Sequence, residues 1–133
     1  MIDRDRLENI LREAGRIALA TWPGDGHALN VWNKLDTSPV SAADIAVDTY
    51  LKRELGALLP AAGWLSEETA DAPERLQRSL IWLVDPIDGT RDFVHGNTGW
   101  AVSVALVSAG RPLIGYLFAP SRARDAGGEM WSA

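Results

Sequence analysis

The sequence predicts an α+β fold in which two N-terminal helices pack on a mostly antiparallel sheet. Apolar residues recur at helical spacing through the first part of the chain and at strand spacing through the second. The period changes after Pro60, a residue that ends the second helical stretch because proline cannot continue a helix.

From Asp3 to about Trp22, the residues Leu7, Ile10, Leu11, Ala14, Ile17, Ala18 and Thr21 recur at spacings of three and four with Arg and Glu between them. This predicts an amphipathic helix that ends near Pro23-Gly24. Residues 24 to 39 mix Gly, Asp, Asn, Ser and Pro without periodicity and predict a loop or a short extended piece. The second helix follows, with Ser41 as N-cap, Asp44 three residues on as in a capping box, and an apolar face of Ile45, Val47, Leu51, Leu55, Leu58 and Leu59. Beyond Pro60 come short β-rich runs at Gly63 to Ser66, Leu80 to Val84, Trp100 to Val107 and Leu113 to Phe118. Ser108 to Pro112 reads as a hairpin loop joining the last two. Large and small residues alternate from Trp100 to Val107, as in a strand packed between two layers, and a final β-rich fragment covers Glu129 to Ser132.

With 133 residues, 47% of them hydrophobic, the chain has the length of one domain and enough apolar content for a core, which excludes a disordered or fibrous protein. Lys and Arg number 13 against 18 acidic residues, for a net charge of −5, and no basic run occurs, so nucleic acid is not an expected partner. The absence of cysteine removes both a disulfide framework and a thiolate metal site, and leaves oxygen or imidazole to hold any metal. The charged Met1 to Arg6 stretch leads into no continuous apolar segment, and the longest apolar tracts fall short of a membrane span. A cytoplasmic protein without a membrane partner is the expectation.

Trp82-Leu83-Val84-Asp85-Pro86-Ile87-Asp88-Gly89-Thr90 is an apolar strand that runs into two carboxylates, a proline, a glycine and a threonine. Pro86 is expected to force a turn that brings Asp88 beside Asp85 and leaves the Ile87 carbonyl free to face a cation. Gly89 and Thr90 then open a helical turn through Phe93, whose amides suit phosphate oxygens. Two carboxylates and a carbonyl beside an anion site suit magnesium-assisted phosphoryl chemistry. Taken alone, Asp-x-x-Asp-Gly is equally well turn chemistry, with Asp88 capping a short helix. A second segment, Leu65-Ser66-Glu67-Glu68-Thr69, shifts the balance, because adjacent like charges at the end of a buried strand are costly unless a cation relieves them. In the third, Lys34 to Asp44, Asp44 on its own is an ordinary first-turn carboxylate.

In this order and spacing the three segments resemble the signatures of the inositol monophosphatase superfamily, which includes the 3'(2'),5'-bisphosphate nucleotidases, over about residues 34 to 120. The resemblance implies that residues 1–133 form an N-terminal metal-binding α+β domain, the first half of a layered α/β/α/β/α phosphatase fold. It implies Mg2+ as cofactor, two or three ions in a complete site, held by Glu67, Asp85, the Ile87 carbonyl and Asp88. Gly89 and Thr90 would bind the substrate phosphate. Asp44 and the Thr90 hydroxyl would orient the attacking water, with Glu67 also among the catalytic residues, and Glu68 and Lys34 would support the site from behind. The implied reaction is in-line attack of a metal-activated water on a small phosphorylated metabolite, without a covalent intermediate and with sensitivity to lithium. A homodimer is the implied assembly.

The family pattern continues for roughly as many residues again, into a substrate-binding α/β domain with a Trp-Asp-x-Ala-Ala motif that this sequence does not contain. Ser38 to Asp44 and Ala119-Pro120 are closer to the bacterial bisphosphate nucleotidases, whereas Phe93-Val94-His95-Gly96 is closer to inositol monophosphatases. A chain of another class, a non-catalytic half-domain that binds metal or a partner, is the alternative. It is disfavoured because no carboxylate of the three segments is lost. His95 follows the phosphate loop and could touch substrate, but a partly buried structural histidine is the stronger reading; His27 has no partner pattern, and the six tryptophans are scattered as core and interface residues.

Overall fold

In a computed structural model, which describes residues 2–24, 39–66 and 76–133, the chain forms two long helices and one five-stranded sheet. Helix α1 spans Arg4–Leu19, and α2 spans Pro39–Leu58. The strands are β1 (Gly63–Ser66), β2 (Leu80–Asp88), β3 (Ala101–Ser108), β4 (Arg111–Ala119) and β5 (Glu129–Ser132), with a short helix α3 (Thr90–Val94) between β2 and β3. Spatial order in the sheet follows chain order; β1 runs parallel to β2 and every later pairing is antiparallel. The α+β class expected from the sequence is the one observed.

Asp3 caps α1, its carboxylate accepting from the Arg6 amide at 3.0 Å. The helix buries Leu7, Ile10, Leu11, Ala14 and Ala18. In the middle of that face stands Gly15, where a Cβ would overlap the Phe118 ring of β4, so the glycine lets the helix lie directly on the sheet. Helix α2 begins three residues earlier than expected and holds Ser41 inside it. Pro39 opens it, and the fixed φ of proline suits a first turn. Val47, Leu51 and Leu55 face the core, but Ile45 is 59% exposed and is not part of that face.

Alternation along the strands supplies the other half of the core: Trp82 and Val84, Val102, Val104 and Leu106, and Tyr116 and Phe118 are all buried toward the helices. Each such side chain contributes about 1.5–3 kcal/mol by leaving water. The β3–β4 hairpin is tighter than expected: Ser108 pairs with Arg111, and Ala109 and Gly110 alone form the turn, with φ of 50° and 79°. Both values are positive, as a two-residue turn matched to the strand twist requires. Arg111 and Pro112 therefore belong to β4. On the opposite face the sheet exposes Leu83, Leu117 and Trp131.

Candidate active site

The carboxylates of β2 are placed by an irregularity in the ladder. Asp85 pairs with Ser103 and Asp88 with Ala101, so Pro86 and Ile87 together stand opposite Val102. This is a β-bulge. In a regular strand residues three apart face opposite sides, and the extra residue returns Asp88 to the side of Asp85. Pro86 and Ile87 are buried, Ile87 in the core cluster, while Asp88 is exposed. The chain does not turn at Pro86 as expected; it stays in the sheet to Asp88, because Pro86 needs no ladder hydrogen bond where the ladder is already interrupted.

After Asp88 the chain turns through Gly89, at φ 94°, into α3. A Cβ on Gly89 would lie 2.6 Å from the Gly99 carbonyl oxygen, and one on Gly99 would overlap the Asp92 carboxylate. Gly89 thus lets the turn lie against the Gly99 backbone, and Gly99 leaves room for the Asp92 side chain. Phe93, fully buried, meets Trp100 edge to face at 4.8 Å and 77°, which anchors α3 from beneath. The Asn97 amide closes the following loop onto the Asp92 carbonyl at 2.8 Å. Thr90, the first residue of α3, is exposed with the leading turn of the helix.

Asp85 lines a cavity of about 450 Å³ with Leu65, Ser66, Leu83, Ser103 and Ala105; Asp88 and Gly89 line a smaller one of about 180 Å³ with Thr98, Trp100 and Arg122. Arg122 is held at its mouth by Glu129 at 2.8 Å and by the Trp131 ring at 6.0 Å. Asp44 is buried on α2, away from the exposed first-turn position that a dipole partner would take. The structure thus gathers Asp85, Asp88, Gly89 and Thr90 at one end of β2. Lys34, Glu67 and Glu68 lie outside the described residues, as does His27. His95, expected to be partly buried, is exposed at the end of α3, since the short helix turns its Phe93 side inward.

Two further residues escaped the sequence reading. Asp48 and Ser66 are both buried, and the Ser66 hydroxyl donates a short hydrogen bond to Asp48 Oδ1. A signal for Asp48 was present: Asp44, Asp48, Leu51 and Leu55 follow one another at spacings of four, three and four, which places both carboxylates on the stripe of the buried leucines.

A magnesium site suits the donors in view. Asp85 and Asp88 offer hard carboxylate oxygens on one face of the sheet, and the buried Ile87 side chain leaves that residue only its carbonyl to offer. Among the described residues no three His, Asp or Glu side chains gather as a metal group, and Glu67, the third carboxylate of the expected set, lies outside them.

The sequence profile of the inositol monophosphatase family matches residues 5–133, and the chain belongs to that family. It is 38% identical over 117 residues to the 3'(2'),5'-bisphosphate nucleotidase CysQ of Escherichia coli K12, covering 87% of this chain and 47% of that protein. It is 40% identical over 105 residues to the histidinol-phosphatase of Mycobacterium tuberculosis, covering 79% of this chain and 38% of the relative. Among solved structures, CysQ from Bacteroides thetaiotaomicron, a bacterial member of the inositol monophosphatase family, superposes with a TM-score of 0.76 at 26% identity, over 93% of this chain and 42% of that one. The chain thus spans about half the length, or less, of these relatives. No helix among the described residues is long and apolar enough to cross a membrane.

Proposed function

We propose that this chain is the metal-binding part of a magnesium-dependent phosphomonoesterase acting on a small phosphorylated metabolite, with a 3'(2'),5'-bisphosphate nucleotide as first candidate. The observation that carries the reading is the bulge that turns Asp85 and Asp88 to one face immediately before the Gly89 turn. In this reading Glu67, Asp85, the Ile87 carbonyl and Asp88 hold Mg2+, two or three ions in the complete site. Bound Mg2+ would supply a water of lowered pKa and a counter-charge for the departing oxygen. The Gly89 and Thr90 amides receive the phosphate oxygens, which helix-start amides do without a side-chain charge. Asp44 and the Thr90 hydroxyl orient the water, and Glu68 and Lys34 steady the ligands. The 38% identity to a bisphosphate nucleotidase supports the substrate class.

A second reading, histidinol phosphate, is supported by the 40% identity to a histidinol-phosphatase. A third, inositol 1-phosphate, is supported by Phe93 to Gly96. The test is phosphate release with Mg2+ from 3'-phosphoadenosine 5'-phosphate, histidinol phosphate and inositol 1-phosphate in parallel, with Asp85→Asn as control and lithium as inhibitor. Release lost in the variant supports the chemistry, and the preferred substrate names the branch. If no substrate is turned over while Mg2+ still binds, the chain is a metal-binding half-domain. For assembly, we propose self-association, supported by the exposed Leu83, Leu117 and Trp131 on the open sheet face. A monomer by light scattering would refute it.

A further inference from the structure

We infer that Asp48 is a positioning residue for this site: through Ser66 it anchors the carboxyl end of β1 to α2, and so sets the cavity wall beside Asp85. The inference rests on the reading of Asp85 as a metal ligand.

Asp48 is 7% exposed and Ser66 6%, and they meet across 18 residues of sequence. A carboxylate this deep is costly unless hydrogen-bonded. The helix itself does not call for it, since aspartate is a poorer helix former than leucine, and Leu51 and Leu55 pack on the same stripe without a polar atom. Asp48 therefore occupies a position where an apolar side chain would serve packing better.

The hydrogen bond does something that packing would not. Among the described residues, strand β1 covers Gly63–Ser66 and pairs with β2. Four residue pairs join β1 to β2, and a contact to the helix layer adds a tie that the ladder does not supply. Ser66 pairs in register with Val84, the residue before Asp85, and both Ser66 and Asp85 line the 450 Å³ cavity. A hydrogen bond to a carboxylate is stronger and more directional than one between neutral groups, so it pins this end of the strand to the helix behind it. Glu67 is bonded directly to Ser66.

The experiment is Mn2+ titration, by calorimetry and by the loss of free-ion electron paramagnetic resonance signal. The proteins are the wild-type chain, Asp48→Ala, Asp48→Asn, Ser66→Ala and the Asp48→Ala/Ser66→Ala pair, with circular dichroism to verify folding. Partners behind the ligands of a metal typically govern about 10–100-fold in affinity. Asp48→Ala and Ser66→Ala are each expected to weaken Mn2+ binding by about that factor, and the pair no further than either alone. Asp48→Asn, which retains an oxygen acceptor for the serine hydroxyl, is expected to stay within about threefold of wild type. Wild-type affinity in folded Asp48→Ala or, should that variant fail to fold, in Ser66→Ala would overturn the inference while leaving the ligand reading intact. A wild-type chain that binds no Mn2+, or binds it equally well with Asp85→Asn, would overturn the reading and the inference together.

Discussion

Asp85 and Asp88 face the same side of the sheet because two residues, Pro86 and Ile87, stand opposite the single Val102. The bulge gives the pair distinct surroundings: Asp85 lines the larger cavity beside Ser66, while Asp88 is exposed next to the Gly89 turn. Under the proposed ligand set, Asp85 would contribute to each ion and Asp88 to one of them. Asp88→Asn should therefore keep one Mg2+ binding event and lose another, whereas Asp85→Asn should weaken all of them by about 100-fold or more. Calorimetric stoichiometry separates the two outcomes.

Gly89→Ala is expected to destabilise the fold by about 1–3 kcal/mol, because a Cβ meets the Gly99 carbonyl and the left-handed backbone disfavours any side chain. Urea denaturation measures the loss. A variant as stable as wild type would mean that the turn can open without cost.

Gly15→Val should cost about 1–3 kcal/mol or more by the same measurement, since the added carbons overlap the Phe118 ring and the helix must lift from β4. Pairing it with Phe118→Ala should recover part of that loss, as expected of two residues that compete for one space.

The Tyr50 phenol has its pKa raised above the ordinary tyrosine value, first by burial and then by the carboxylates of Glu54 and Glu13, against the opposing pull of Arg53 and Arg16. A pKa raised in the folded state means that the fold favours the neutral phenol. Its contribution is complete below about pH 10 and is lost as pH rises through the folded value. The late titration should vanish from the phenolate absorbance of Tyr50→Phe.

What the sequence disclosed and what it concealed divide along the range of the interactions. The buried stripe of α1 and the strands at Gly63–Ser66 and Glu129–Ser132 were legible because period is a local property. The two carboxylates before Gly89 were legible for the same reason. The bulge was not, because it is defined by what β3 places opposite Pro86 and Ile87, and a proline before Asp-Gly suggests a turn when no partner strand is in view. Ile45 was assigned to the wrong face because hydrophobicity alone does not fix the phase of a helix whose buried stripe includes Asp44 and Asp48. The stripe pattern marks Asp48, but its hydrogen bond to Ser66 shows only in the fold, since 18 residues separate the two.

In the sheet, β1 to β5 lie side by side in the order in which a ribosome would make them. From β2 onward each strand on emerging meets the one made just before it, so chain closure is cheap at those steps. Only the parallel join of β1 to β2 requires the chain to travel back along the sheet before pairing. The pairing of β1 is therefore the step expected to come last in an otherwise sequential assembly. The hairpin of β3 and β4, closed by Ala109 and Gly110, is its natural seed.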